Sequence, residues 1–403
     1  MPEHQPKPHE RIAEVKRRAK AGPALLQNGF RPFFLAAGLW ATLAVPFWVL
    51  TFTGTIPMAD GFDPLLWHPH KMLFGFAAAA ICGFLLTAIP NWTGRLPVSG
   101  GRLLVLLALW AAGRAAMLAQ PLIGPAATAV LDLAFLTTLS VIIGRELFSG
   151  RNWRNLPVLA LISLFTLGNW LVHYESLGLA DTATVGMRLS TFVLALLIAV
   201  IGGRIVPSFT RNWLARQGEE VLPPAMNALD KAALLALIIL AIAEVFVPIS
   251  QATAGWAVVT GLLLGLRLAR WRGWAVRSKP LLWSMHLGYA WLAIALIMIG
   301  LAGLTPMVPP AAAIHALTVG AFGTMIVAVM TRATLGHTGR PLTAGLGTRA
   351  VFILVTIAAL TRVIVPFLGE FEAPGLWLAA SAWTAAFGLF TILYYPALTQ
   401  RAL

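Results

Sequence analysis

Twelve apolar stretches, each close to the roughly 20 residues that a helix needs to cross a bilayer, occupy nearly all of this 403-residue chain. They fall at about 33–53, 70–90, 102–120, 125–147, 156–174, 183–204, 228–248, 254–271, 281–302, 312–332, 349–367 and 375–397. A water-soluble fold has no interior large enough for them. Hydrophobic residues make up 59% of the chain and charged residues 11%, with a mean hydropathy of +0.81, well outside the composition of soluble domains. The expected fold class is therefore an all-α polytopic membrane protein of about twelve transmembrane helices, with the lipid bilayer as its solvent.

Residues 1–24 are the exception. Arg11, Lys16, Arg17, Arg18 and Lys20 stand there among Pro, His and Glu without the apolar core of a signal peptide. They read as a cytosolic basic tail, and 25–403 as a single twelve-helix transmembrane domain. A net charge of +14 would suggest nucleic acid in a soluble protein, but here the cations lie in short connections and report topology, so no nucleic-acid partner is expected. Arg95, Arg102, Arg145, Arg151, Arg154, Arg204, Arg211, Arg216, Arg267, Arg270, Arg272, Arg340 and Arg401 all fall to one side. The opposite connections hold Asp60, Asp63, Glu175, Asp181, Glu370 and Glu372 and no Lys or Arg. The positive-inside rule then places both termini in the cytoplasm.

A weak internal repeat is visible. Thr93-Gly-Arg-Leu-Pro97 follows the second stretch, Pro207-Ser-Phe-Thr-Arg-Asn-Trp213 the sixth and Thr338-Gly-Arg-Pro-Leu342 the tenth. Counting back from these runs reaches His70, Arg188 and His315, and the following helices carry Arg114, Glu244 and Arg362. This suggests three groups of four helices, with the second, sixth and tenth central. Chance recurrence of Gly, Pro and Arg at helix ends is the competing explanation.

Ionisable side chains are costly in a bilayer and tend to mark a site. Counting along the helices puts His68, His70, Lys71, Arg114, Asp132, His173, Arg188, Glu244, His315 and Arg362 in or beside the outer half. In Trp67-His-Pro-His70, Pro69 suits a first helical position, which leaves His68 just outside the helix and His70 in its first turn. A lone histidine near a helix end is more often an interfacial hydrogen-bonding group, but several near one surface favour a haem or metal site built from neighbouring helices. His70 and His315 are the favoured haem pair, with His68 and His173 as alternative or additional ligands. Small residues at Gly75, Ala79, Gly83, Gly320 and Gly323 give room for a haem or simply allow close packing. Arg114, Arg188 and Arg362 can meet propionates or an anion, or pair structurally with Asp132 or Glu244. His286 and His337 lie toward the cytoplasm and are weaker candidates for a second metal site. Cys82 is a lone thiol, which excludes a disulfide framework and a four-thiolate cluster. No Walker loop, dinucleotide fingerprint, nucleophile elbow or zincin motif is present.

These motifs resemble the NnrS family, bacterial membrane proteins that contain haem and copper and are linked to nitric oxide metabolism. The resemblance rests on Asn28-Gly-Phe-Arg-Pro-Phe-Phe34, Trp67-His-Pro-His70, Leu73-Phe-Gly-Phe76 and Gly83 through Gly94. It continues in Gly202-Gly-Arg-Ile-Val-Pro207, His286-Leu-Gly-Tyr289, His315-Ala-Leu-Thr-Val-Gly320 and Gly336-His-Thr-Gly-Arg-Pro341. It implies b-type haem and copper as cofactors, nitric oxide or a related small molecule as ligand, an electron donor as partner and the bacterial inner membrane as location. If the protein is an enzyme, the resemblance implies an oxidoreductase acting on nitric oxide or a related nitrogen species. One departure is Lys71, where the family's usual form has Glu. The arrangement is also similar to the catalytic subunit of haem–copper oxidases, with three groups of four helices and haem histidines on helices 2 and 10, but helices 6 and 7 here lack the histidines that hold the second metal there. Two other functions compete: a secondary transporter of a small anion or protons using the same intramembrane residues, and a factor that delivers metal or haem to another protein.

Overall fold

The computed structural model describes residues 22–56, 64–247 and 250–401. The expected basic tail is therefore almost wholly outside the described residues, as are Asp60 and Asp63. Twelve long helices and no strands occur among the described residues. In chain order they are α1 (Phe30–Phe52), α2 (Leu65–Thr93), α3 (Gly101–Leu118), α4 (Gln120–Ser149), α5 (Leu156–Ser176) and α6 (Ala183–Arg216). The second half comprises α7 (Ala228–Phe246), α8 (Gln251–Ala269), α9 (Pro280–Leu304), α10 (Pro310–His337), α11 (Leu346–Ile364) and α12 (Glu372–Thr399). Eleven are long and apolar enough to cross a membrane. The remaining helix, α7, carries Asp230, Lys231 and Glu244 in 19 residues. The chain is an all-α, multi-pass membrane protein.

Consecutive helices pack against one another around the bundle, and α12 closes it by packing on α1. Arg31, buried near the start of α1, fastens that closure. Its Nη1 donates to the carbonyls of Ala397, Leu398 and Gln400 at 3.0, 3.1 and 2.5 Å, serving the acceptors that a helix C-terminus leaves unpaired.

The central helices are the ones the sequence repeat singles out. In α2, α6 and α10, 72%, 61% and 67% of the most apolar stretch is buried, against 56% or less in the other spans. They are also longer than hydropathy indicates, because a helix enclosed by its neighbours can continue past the lipid without exposing its backbone. Each contains a π-helical segment: Lys71–Ala77 in α2, Ile198–Gly202 in α6 and Ala316–Gly323 in α10. The segments in α2 and α10 begin 22 residues before Thr93 and Thr338, whereas that of α6 begins 12 before Thr210. The repeat is thus in register between α2 and α10 and displaced in α6.

A π turn widens the helix and releases carbonyls from the regular ladder, and donors from neighbouring helices meet them. Trp40 and Trp110 donate through Nε1 to Lys71 O and Gly75 O at 3.1 and 3.0 Å. In α6, Arg267 Nη1 donates to Ala199 O at 2.9 Å, while its Nε bonds Asp230 Oδ1 at 2.9 Å and Nη1 also reaches the Tyr289 hydroxyl at 2.8 Å. Arg267 was expected among the loop cations, and the structure instead buries it within the bundle.

Candidate functional site

Two regions at the acidic-loop end of the bundle gather the chemistry-bearing side chains, and they diverge from the same short motif. The helix carrying that motif begins at Pro64, before the expected position, so Pro69 lies inside it and His68 is helical as well as His70. Pro64, Leu65, Leu66 and Trp67 precede His68 in the helix, and a proline five residues in loses only an N–H bond whose acceptor is one of the first residues. Residues two apart on a helix are turned by about 200° from each other. The two imidazoles accordingly face different neighbours.

His68 faces a cavity of about 670 Å³ enclosed by α1, α2, α6, α10, α11 and α12. The cavity runs along the π segments of α2 and α10, where Met72, Phe76, Val319 and Phe322 form much of its apolar wall. His315 lines the same cavity, and Arg362 and Glu372 add the charged groups. The His68 ring lies against Trp48, with centroids 4.2 Å apart and planes at 31°. His315 Nδ1 donates to Ala311 O at 2.7 Å. That bond fixes the tautomer and leaves Nε2 as the unprotonated, lone-pair nitrogen.

His70 enters a different, fully buried cluster at the junction of α2, α3, α4 and α5. Its Nε2 donates to Asn169 Oδ1 at 3.0 Å and lies 3.4 Å from Asp132 Oδ2. His173 Nε2 and Asn169 Nδ2 both donate to Asp132 Oδ2 at 3.0 Å. Arg114 Nη2 is ion-paired to Asp132 Oδ1. A Cβ at Gly75 would stand 2.4 Å from Trp40 Nε1 and 2.9 Å from Arg114 Nη1, so the absence of a side chain there lets the guanidinium approach α2. Lys71 is completely buried, with its Nζ 5.5 Å from the Trp67 ring and without a hydrogen-bond partner among the described residues.

The ligand atoms of His70, Asp132 and His173 lie within 4.8 Å of one another, a spacing compatible with a metal ion. The bonding within the cluster opposes one. Both imidazoles use Nε2 as a donor to oxygen, so the nitrogens nearest the carboxylate carry protons. A cation among them would displace both protons and stand beside Arg114 in a low-dielectric interior, where like charges repel strongly.

The other candidates are distributed apart from these two regions. Arg188 Nη1 donates to Glu244 O at 3.4 Å, joining α6 to α7. His286 bonds Thr210 Oγ1 at 2.9 Å and packs edge-on to Trp271, whereas His337 packs against Phe30 with centroids 5.6 Å apart. His286 and His337 therefore sit in separate environments and share no ligand cluster. The small residues also behave as packing positions: Gly83, Gly320 and Gly323 approach Phe34, Trp291 and Trp383, and none of them lines the cavity. Asn169 and Trp48 went unnoticed in the sequence, and Glu372 was read only as an acid of a connecting loop. Asn169 sits four residues before His173, one helical turn away on the same face of α5, which is the signal that could have found it.

Comparison with known proteins adds one match. The family model described as NnrS protein matches residues 24–401. No curated protein matches the chain.

Proposed function

The chain belongs to the NnrS family, and from that premise we propose that it is a haem-binding membrane protein of the nitric oxide response, with the haem held in the cavity between α2 and α10. Family membership fits a nitric oxide-related role and does not favour the transporter or delivery readings. The observation that carries the haem assignment is the pair of imidazoles, His68 and His315, on facing helices of one large apolar cavity. Its volume is within the range of cofactor pockets. The sequence favoured His70 with His315; the cavity favours His68 in place of His70, because His70 already donates to Asn169 and does not line it.

The residues fit the group. Trp48, Phe76, Phe322 and Trp383 offer aromatic surface for a porphyrin face. The Nδ1 bond to Ala311 orients the His315 ring and makes its Nε2 a better ligand. Contact with Trp48 restrains the His68 ring. Arg362 offers a guanidinium to a propionate, and the apolar wall excludes water from the rest of the cavity. Bound haem would supply an iron that exchanges electrons. A second metal such as copper fits the His70–Asp132–His173 cluster poorly, since Arg114 already pairs with Asp132 and both Nε2 protons point at oxygens, and no role is assigned to one there. The uneven distribution of Lys and Arg supports a bacterial inner-membrane location with cytoplasmic termini, which puts the cavity in the outer half.

The test is a reduced-minus-oxidised optical spectrum with iron and copper analysis of the detergent-solubilised protein. Wild type is compared with His68→Ala, His315→Ala and His70→Ala. A b-type spectrum lost in the first two variants and kept in the third supports the assignment. A wild type that stays colourless and iron-free after haem-supplemented expression overturns it.

A further inference from the structure

A second cavity, of about 490 Å³, lies at the opposite end of the bundle, where the basic connections gather. Arg204 from α6 and Arg332 and His337 from α10 provide its polar groups together with Asn91 from the end of α2. Its deeper wall is apolar, with Phe34, Phe84, Ile201, Ile205 and Val329. Each guanidinium is held by a neutral group. Arg204 Nη1 donates to Asn155 Oδ1 at 2.9 Å, and Arg332 stacks over the Phe209 ring at 4.3 Å. Neither is ion-paired with a carboxylate among the described residues. The contrast with Arg114, Arg267 and Arg270, all paired to aspartate, makes this cavity a concentration of uncompensated positive charge.

We propose that this cavity binds the phosphate group of an acidic phospholipid, with Arg204 and Arg332 as its ligands. Guanidinium is matched in charge and geometry to a phosphate. The apolar wall behind the arginines suits the first part of an acyl chain and gives nothing to a free inorganic ion. The leaflet facing basic connections is the anionic one, and basic pockets between helices on that side recruit its headgroups. Seated there, a lipid bridges the ends of α2, α6 and α10, the three central helices. The assignment does not depend on haem binding in the opposite cavity.

The experiment is native mass spectrometry and thermal unfolding of the full chain, with phosphatidylglycerol, phosphatidylcholine or inorganic phosphate added. Wild type should retain phosphatidylglycerol adducts through delipidation and unfold at a higher temperature with it than with phosphatidylcholine. Arg204→Gln/Arg332→Gln should weaken that retention by about tenfold or more, with two charge-assisted contacts gone. Equal retention of the two lipids by wild type overturns the proposal without reference to any variant. A double variant that retains phosphatidylglycerol as wild type does overturns the residue assignment, and an unfolding shift reproduced in full by inorganic phosphate reduces the cavity to a free-anion site and overturns the lipid.

Discussion

The cavity at His68 and the cluster at His70 begin two residues apart, yet one is open and the other closed. Around His68 and His315 the surroundings are mostly apolar, and among the described residues His315 Nε2 makes no hydrogen bond. Around His70 and His173 each Nε2 proton is directed at an oxygen, and Asp132 is bonded by Arg114, Asn169 and His173, while His70 Nδ1 and Arg114 Nε and Nη1 have no hydrogen-bond partner among the described residues. An unused nitrogen therefore does not by itself mark a ligand site. Space distinguishes the two regions: His315 lines a cavity, whereas His70 is enclosed by protein.

Substitution should separate the regions sharply. The largest effect is expected for Asp132→Ala, which leaves Arg114 buried without its counter-charge and costs on the order of 3–5 kcal/mol, read as a collapse in folded yield and in the thermal midpoint in detergent. If Asp132→Ala folds normally, the cluster is not the lock described here. His315→Ala should abolish the Soret band while leaving the helical circular dichroism spectrum intact, the reverse of the Asp132 result. Next, His70→Ala removes one buried hydrogen bond, so a loss of about 1–2 kcal/mol is expected with the Soret band retained; a bleached but stable His70→Ala protein would move the haem ligand back to His70. Arg362→Gln should have the smallest effect, a few-fold faster haem loss to an apoglobin acceptor, because a propionate contact near a cavity mouth is partly solvated.

The spans were legible because hydropathy over a bilayer's width is a one-dimensional property. All twelve stretches recur as helices, with the largest boundary differences in α6 and α2, which are buried by protein as well as by lipid. That His70, Asp132, His173, His315 and Arg362 share one end of the bundle followed from counting along those helices. A structural pair of Arg114 with Asp132 was one of the two readings the sequence offered, and it is the one that forms, but the sequence did not choose between them. Nothing local joins Arg267 to Tyr289, since the encounter depends on how each helix is rotated about its axis. Arg31 shows the converse: Asn28-Gly-Phe-Arg-Pro supported the family resemblance, and its arginine turns out to cap α12 across the bundle. Lys71 resisted interpretation for another reason, because a cation on an apolar helix predicts a partner and this one has, among the described residues, an aromatic ring and no hydrogen bond.

The π segment just beyond His70 sets a phase. Seven residues from Lys71 to Ala77 wind more slowly than the α-helix on either side, so the Trp67-His-Pro-His70 turn is rotated relative to the long stretch that anchors it. Ordinary α winding through the same seven residues would swing everything before them by about 100°. His68 would then leave the cavity and His70 its aspartate, although neither histidine had been altered. The bearing of both imidazoles is stored downstream of them, in a single surplus residue of winding, and sequence changes there act on two sites at once.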